Sequence, residues 1–297
     1  MRHLAILLTL IAGPAWAQTP DWAQVGKIFV ERCIICHSGD GAPLGLQLDS
    51  YESALLGGWM GAVLIAGDPE NSRLMGRIRG QIQPQMPLNG PPYLDIAEIA
   101  LIAAWIEAGL PKGESEAALA PAFRTRPAPG SAVNFTDVEQ IFLQRCVKCH
   151  SNNSILGAPP EGLLLDNYAN ILAGGERLAV LPGNAEMSEI WRRVAGHGQP
   201  RMPFDGPPWL EAEDIQLIFD WIAQGAANRL GERAPIPAGQ SVRLRGVMTS
   251  PNEIDGAAFL VDGTTRIDEQ PSIGAAAELR GRVMPDGSVL ATRLRSR

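Results

Sequence analysis

The spacing of apolar residues predicts helices along most of the chain. Residues 25–29 carry apolar side chains at positions i, i+3 and i+4, which places them on one face of a helix. The same spacing recurs in residues 138–142. Further apolar faces run through residues 99–106 and 215–222, and each ends near a glycine of the kind that terminates helices. Four helices are therefore predicted, with loops and shorter helices between them.

The pattern changes in the last part of the chain. Val242 and Leu244 alternate with Arg243 and Arg245, and this period of two is typical of a half-buried strand. Further strand candidates are residues 258–261, 277–283 and 289–294. We therefore predict that residues 240–297 form a small antiparallel β domain, with an OB-like five-stranded barrel as its architecture.

Much of the chain is a duplication, because the residues around Cys33 recur around Cys146. Matched pairs include Val25 and Val138, Phe29 and Phe142, Tyr51 and Tyr168, Met86 and Met202, and Trp105 and Trp221. The predicted organisation is a signal peptide at 1–17, helical domains at 18–112 and 134–226, linkers at 113–133 and 227–239, and the β domain at 240–297. The linkers are rich in proline, alanine and other small residues.

The N-terminus has the pattern of a secretory signal. Arg2 precedes an apolar run at residues 4–12 that is too short to span a bilayer, and residues 15–17 form an A-x-A cleavage site. We expect an exported, periplasmic protein that begins at Gln18 and has no membrane span after the signal is removed. The alternative is an anchor that stays in the membrane. The net charge of −7 argues against nucleic acid as a partner, since phosphates require a basic face.

The chemistry of the chain is concentrated in two C-x-x-C-H motifs, at residues 33–37 and 146–150, which use all four cysteines. This motif is the attachment signature of c-type haem. We predict two covalently bound haem c groups, tethered by Cys33, Cys36, Cys146 and Cys149, with His37 and His150 as proximal iron ligands. The alternatives are a zinc site, which requires ligands from both copies to converge, and a thiol-redox pair, for which the βαβ pattern is missing.

The second axial ligands follow from the number of histidines. Once the signal is removed, His37, His150 and His197 remain, so bis-histidine ligation at both haems is impossible. Met86 and Met202 match in the two copies, and each precedes a proline on a loop; we predict that they are the other iron ligands. The alternative is that both fill the core. His197 is interpreted as a surface residue, with replacement of Met202 as the alternative.

Two further matched pairs are candidates for contact with haem. Arg77 and Arg193 are expected either to bind haem propionates or to lie in solvent. Trp105 and Trp221 are expected to pack in the core.

These residues together resemble class I cytochrome c, and most closely the cytochrome domain common in planctomycete multidomain proteins. The likeness covers residues 21–110 and 134–226. It rests on C-x-x-C-H, a G-x-x-L-D-x-Y stretch, Gly-Asp-Pro-Glu at residues 67–70, Met-Pro and a final W-I-x-x-G helix; the second copy departs from it at residues 183–186. The resemblance implies an all-α fold around haem, His/Met ligation and electron transfer. The expected fold class is mainly α: two tandem class I cytochrome c-like helical domains followed by the β domain.

The function expected from these features is single-electron transfer between periplasmic redox partners by a protein that is not an enzyme. Iron with both axial positions filled favours electron transfer over chemistry on a bound substrate. The acidic chain is expected to approach basic docking patches on partner proteins. One alternative is a dihaem peroxidase. It requires that Met202 can leave the iron, with His197 nearby. Another is an electron-accepting subunit of a periplasmic dehydrogenase.

Overall fold

The computed structural model describes most of the chain after the predicted signal peptide. The described ranges are 19–39, 41–113, 126–128 and 130–297. The predicted signal peptide at 1–17 lies outside them, as does most of the predicted linker at 113–133. No helix within the described ranges combines the length and the apolar character that crossing a membrane requires.

The first helical module begins and ends with its longest helices. Its helices are α1 (Trp22–Arg32), α2 (Tyr51–Leu56), α3 (Arg73–Ile78) and α4 (Ile96–Glu107). Asp21 and Asp95 start α1 and α4 with capping boxes, in which the carboxylate accepts a hydrogen bond from the backbone three residues later. The inner faces of these two helices meet in a core that includes Val25, Phe29 and Ile102, all fully buried.

The second module repeats this order. Its helices are α5 (Phe135–Arg145), α6 (Tyr168–Ala173), α7 (Glu189–Ala195) and α8 (Ala212–Ala223). Short 3-10 helices at Pro43–Gly45 and Pro160–Gly162 occupy matching places in the two modules. The long outer helices confirm the prediction made from apolar spacing, and the shorter helices lie between them as expected.

The matched tryptophans are central to the two cores, as predicted. Trp105 and Trp221 are fully buried. The Trp221 ring lies 5.9 Å from the Phe142 ring and 6.0 Å from the Phe135 ring, in the edge-on and tilted arrangements that aromatic pairs favour. Each indole N–H donates to a backbone carbonyl six residues later, at 3.0 Å and 2.9 Å respectively. The hydrogen bonds satisfy the only polar atom of each buried side chain.

The C-terminal part is a six-stranded sheet. Its strands are β1 (Ser241–Ser250), β2 (Glu253–Ile254), β3 (Ala257–Ala258), β4 (Arg266–Asp268), β5 (Ala276–Val283) and β6 (Val289–Ser296). The spatial order is β3-β2-β1-β5-β6-β4. The pairs are antiparallel except for β4, which runs parallel to β6. An isolated parallel bridge also joins Leu260 to Leu290.

The predicted fold class is wrong. Of the residues that the structure describes, 29% are helical and 14% form strands, with eight α-helices of at most 12 residues and a mixed sheet of six strands. The chain is therefore not mainly α, and the antiparallel five-stranded barrel is replaced by this mixed sheet. The reason lies in the composition of the modules: the segments between helices are rich in proline and glycine, and proline cannot donate the hydrogen bonds that continue a helix.

The sheet and the second module share one hydrophobic cluster. Leu178, Leu181 and Met187 of the second module are buried among the inner side chains of the sheet. These three lie on either side of the segment at residues 183–186, where the second copy departs from the first. The turn itself is kept, since Gly67 and Gly183 each donate to a carbonyl of the last helix of their module at 2.8 Å. The sequence difference at residues 183–186 thus occurs where the sheet packs against the second module, and the local backbone fold is unchanged.

A buried carboxylate on the outer face of the sheet leads to a prediction about pH. Glu278 is 2% exposed and accepts hydrogen bonds from Arg243 and Arg245, both at 2.9 Å, with Arg295 at 3.2 Å and Arg280 at 3.4 Å. Burial alone would raise the pKa of Glu278, but the guanidinium hydrogen bonds outweigh it and lower the pKa. Its contribution to folding is therefore complete above the unfolded glutamate value of about 4.3 and decreases as the pH falls below that value.

We expect Glu278→Gln to lower the stability of the sheet at neutral pH, by about 2 kcal/mol, and to weaken its dependence on pH below about 4.3. Hydrogen-exchange protection of the β1 and β5 amides, measured at several pH values in the full chain, tests this. Glu269→Gln, at an exposed position on the same domain, is the control. Equal protection in the Glu278 variant and the wild type at neutral pH would contradict the assignment.

Candidate haem-binding sites

Both C-x-x-C-H motifs start where a helix ends. Cys33 follows α1, and its amide donates to the carbonyl of Phe29 at 2.8 Å. The amides of Cys36 and His37 then both turn back to the Cys33 carbonyl, at 3.1 Å and 2.9 Å. The second motif makes the same three bonds at 2.9, 3.1 and 2.9 Å. The backbone therefore folds each motif into one tight turn, which keeps two thiols and an imidazole close together.

The two histidines are oriented in the same way. Nδ1 of His37 lies 3.1 Å from the carbonyl of Leu46, and Nδ1 of His150 lies 3.1 Å from the carbonyl of Leu163. A carbonyl can only accept, so Nδ1 carries the proton and Nε2 keeps its lone pair for a metal. Burial lowers the pKa of both imidazoles, which favours the neutral form that ligates iron. The two leucine carbonyls were not anticipated, although the repeat already matches Leu46 with Leu163.

The methionine loops are held by the matched arginines. The amides of Met86 and Met202 donate to the carbonyls of Arg77 and Arg193, both at 3.1 Å. Each guanidinium in turn donates to the proline carbonyl two residues before the methionine, at 3.1 Å and 3.2 Å. Both arginines thus position the loop, a role that the sequence did not reveal. Both methionines are half-buried against the core of their module.

A cavity of about 740 Å³ in the second module brings the predicted residues together. Cys146, Cys149, His150 and Met202 all line it. Most of its remaining wall is apolar and includes Ile155, Leu163, Leu178, Val194 and Phe204. The volume lies within the range of small-molecule and cofactor sites, about 300–1,000 Å³.

The rim of this cavity indicates what fills it. Ile155 is 56% exposed, Leu156 61% and Phe204 77%, and all three side chains line the cavity. Large apolar side chains gathered around a concave site are typical of a binding surface. A flat apolar macrocycle tethered at Cys146 and Cys149 fits these walls, so the residues present are suited to a covalently attached haem.

The thiols are poorly suited to redox chemistry of their own. All four cysteines lie in the described part of the chain, and none forms a disulfide there. Burial raises the pKa of the Cys33, Cys36 and Cys146 thiols to about 12, and it also raises the pKa of Cys149. A thiol that stays protonated is a weak nucleophile for disulfide exchange. The thiol-redox alternative is therefore disfavoured.

The two attachment turns meet at the interface between the modules. Sγ of Cys36 lies 3.7 Å from the carbonyl of Leu143, near the end of α5. The side chain of Gln144 donates to the Cys36 carbonyl at 3.4 Å, and Asn153 donates to the carbonyl of Gln85 beside the first methionine loop. The first C-x-x-C-H turn thus packs directly against the helix that leads into the second.

His197 does not line the cavity of the second module. Its side chain is exposed, and its ring lies 5.2 Å from the ring of Trp191. It lines a separate cleft of about 510 Å³ between α7 and β1, whereas Met202 lines the cavity with His150. This placement agrees with the interpretation of His197 as a surface residue.

Comparison with protein families gives one match in two segments. The model described as "Planctomycete cytochrome C" matches residues 33–89 and 146–206. Each segment begins at the first cysteine of a C-x-x-C-H motif and extends past the Met-Pro pair. The match supports a cytochrome c-type family, with covalently bound haem c and electron transfer as its chemistry. Cytochromes c are typically extracellular or periplasmic. Comparisons with curated proteins and with solved structures give no significant match.

Proposed function

We propose that this protein is an exported dihaem c-type cytochrome that transfers single electrons between partner proteins outside the cytoplasm. One haem is attached to each C-x-x-C-H motif, with His37 and Met86 as iron ligands in the first module and His150 and Met202 in the second. The main support is the cavity of the second module, whose wall contains both cysteines, the histidine and the methionine. The first module repeats the hydrogen bonds of these residues.

The protein's own residues prepare each site for electron transfer. A haem held by His37 and Met86, or by His150 and Met202, would supply one-electron redox chemistry without a position for a substrate on its iron. The carbonyls of Leu46 and Leu163 fix the histidine rings, and Arg77 and Arg193 fix the methionine loops. Residues held in place before and after a charge change need little rearrangement, which lowers the barrier to electron transfer. The apolar walls exclude water and favour the less charged ferrous form.

The proposed partners are redox proteins with basic docking patches. The support is the net charge of −7 of the chain, which attracts cationic surfaces over a distance and makes association faster at low salt. The rate of electron exchange with such a partner is therefore expected to fall as ionic strength rises.

A potentiometric titration followed by optical spectra tests the proposal. We expect two haems per chain, both low-spin, each with an iron–sulfur charge-transfer band. We also expect no peroxide turnover by the half-reduced protein, because Met202 lines the cavity with His150 and His197 does not. One haem per chain would refute the dihaem assignment, and a high-spin band together with peroxide turnover would instead establish the peroxidase alternative.

A further inference from the structure

The β domain forms part of the wall of the haem cavity in the second module. The cavity and the cleft between α7 and β1 lie side by side and share several lining residues. The shared residues are Arg177, Glu189, Arg193, Gln199 and Arg245. Four of them belong to the second module, whereas Arg245 comes from β1. A side chain of the β domain therefore reaches the space proposed for the second haem.

The chemistry of haem indicates what these residues bind. A haem carries two carboxylates, at the edge of the macrocycle opposite the groups that bond to cysteine. The basic residues lining the cavity are Arg145, Lys148, Arg177, Arg193 and Arg245. The first two adjoin the cysteines along the chain and so belong to the thioether edge. The other three lie on separate segments, and guanidinium groups suit carboxylates because they bind both oxygens at once.

The three arginines retain donors for such a ligand. A guanidinium has five N–H donors. Nε of Arg245 donates to Glu278 at 2.9 Å, and Arg193 donates to Glu189 at 2.6 Å. Arg177 also pairs with a carboxylate, that of Glu161. These bonds fix the orientation of each group and use only part of its donors.

The position of Arg245 is set by a buried ion pair. Arg192 of α7, 1% exposed, donates to Asp255 at 2.7 Å and to the Arg245 carbonyl at 3.0 Å. A buried guanidinium needs such partners, so this pair fixes β1 against α7 at the residue that reaches the cavity. The docking of the β domain and the placement of Arg245 thus have the same cause.

We propose that Arg245, together with Arg177 and Arg193, binds the carboxylates of the second haem, so that the β domain completes that haem's site. The inference rests on the proposed function, since it assumes haem at Cys146 and Cys149. A positive charge held beside the haem opposes the loss of an electron and raises the reduction potential. The first module has Gly61 at the position of Arg177, because the amide of Gly58 donates to the Gly61 carbonyl as that of Gly175 donates to the Arg177 carbonyl. The two haems therefore have different electrostatic surroundings.

The test is Arg245→Gln in the full-length, haem-loaded protein. We expect the midpoint potential of the second haem to shift downwards and that of the first to stay unchanged. The midpoint of the second haem is identified as the one that Met202→His moves. Arg245→Lys keeps the positive charge but loses the planar guanidinium, which can bind both oxygens of a carboxylate. It is therefore expected to give a smaller shift in potential.

Arg280→Gln is a closely matched control. Arg280 also donates to Glu278, its side chain is 50% exposed against 48% for Arg245, and it does not line the haem cavity. A shift with Arg245→Gln and none with Arg280→Gln supports the proposal. Equal shifts show a general effect of charge on the sheet, and no shift with Arg245→Gln shows that it does not act on the haem; both results overturn it. A wild-type protein without two low-spin haems refutes the proposed function instead.

Discussion

Replacing Met86 or Met202 with alanine is expected to remove the iron–sulfur charge-transfer band of one haem and to lower its reduction potential. The thioether sulfur stabilises ferrous iron, so losing it favours the ferric form. Axial ligands cover a range of about 0.8 V among haem proteins, and a shift on the order of 0.1 V is expected here. Spectroelectrochemistry of each variant gives the band and the potential together.

Histidine variants separate ligation from folding. Met86→His and Met202→His are expected to keep the iron low-spin, because imidazole replaces the thioether, while still lowering the potential. Met60→Ala is the control, since Met60 is 64% exposed and has no methionine counterpart in the second copy. A wild-type spectrum without the iron–sulfur band, or a band that survives in both alanine variants, would show that these methionines do not bind iron.

The elements that the sequence predicted are those with strong local signals. The long helices α1 and α5 have apolar faces with helical spacing, and both have capping residues at their starts. Strands β5 and β6 are runs of eight residues that fall where strand candidates were expected. In such segments the local pattern and the final packing agree, so the sequence alone is informative.

The sequence failed where structure depends on distant partners. Strands β2 and β4, of two and three residues, are too short to show a period, and β4 becomes a strand by pairing with β6. The overestimate of helix has a local cause instead, since the segments between the helices of each module are rich in proline and glycine and form loops. No local pattern in the chain indicates that β4 is parallel to its neighbour.

The same distinction between local signals and distant contacts applies to the residues of the candidate site. The cysteines, histidines and methionines are visible because the duplication repeats them. Arg245 belongs to neither copy, and its approach to the haem cavity depends on how β1 docks against α7. The contact between Cys36 and Leu143 likewise joins residues that are far apart in the chain. A repeat reveals what each module contains, whereas contacts between units require the folded structure.

Removing one pair of cysteines is expected to halve the haem content. In the variant Cys146→Ser/Cys149→Ser, the second module loses both thioether bonds, and the chain is expected to carry one covalent haem with the spectrum and potential of the first site. Hydroxyl groups do not form these bonds, whereas serine resembles cysteine in size, so the backbone turn formed by the amides of Cys149 and His150 is retained. Denatured-haem absorbance per chain, with the intact mass, measures the loss.

The reciprocal variant Cys33→Ser/Cys36→Ser is the matched control, because its turn makes the same hydrogen bonds. It is expected to leave one haem with the properties of the second site, so that the spectra of the two variants add up to that of the wild type. In the variant Cys146→Ser/Cys149→Ser, the second module should also become less stable, because it lacks its haem. Apolar side chains around the cavity, such as Phe204 with 77% of its surface exposed, would then no longer be covered by the macrocycle. A wild-type content of one haem, or a content unchanged in either variant, would contradict attachment at both motifs.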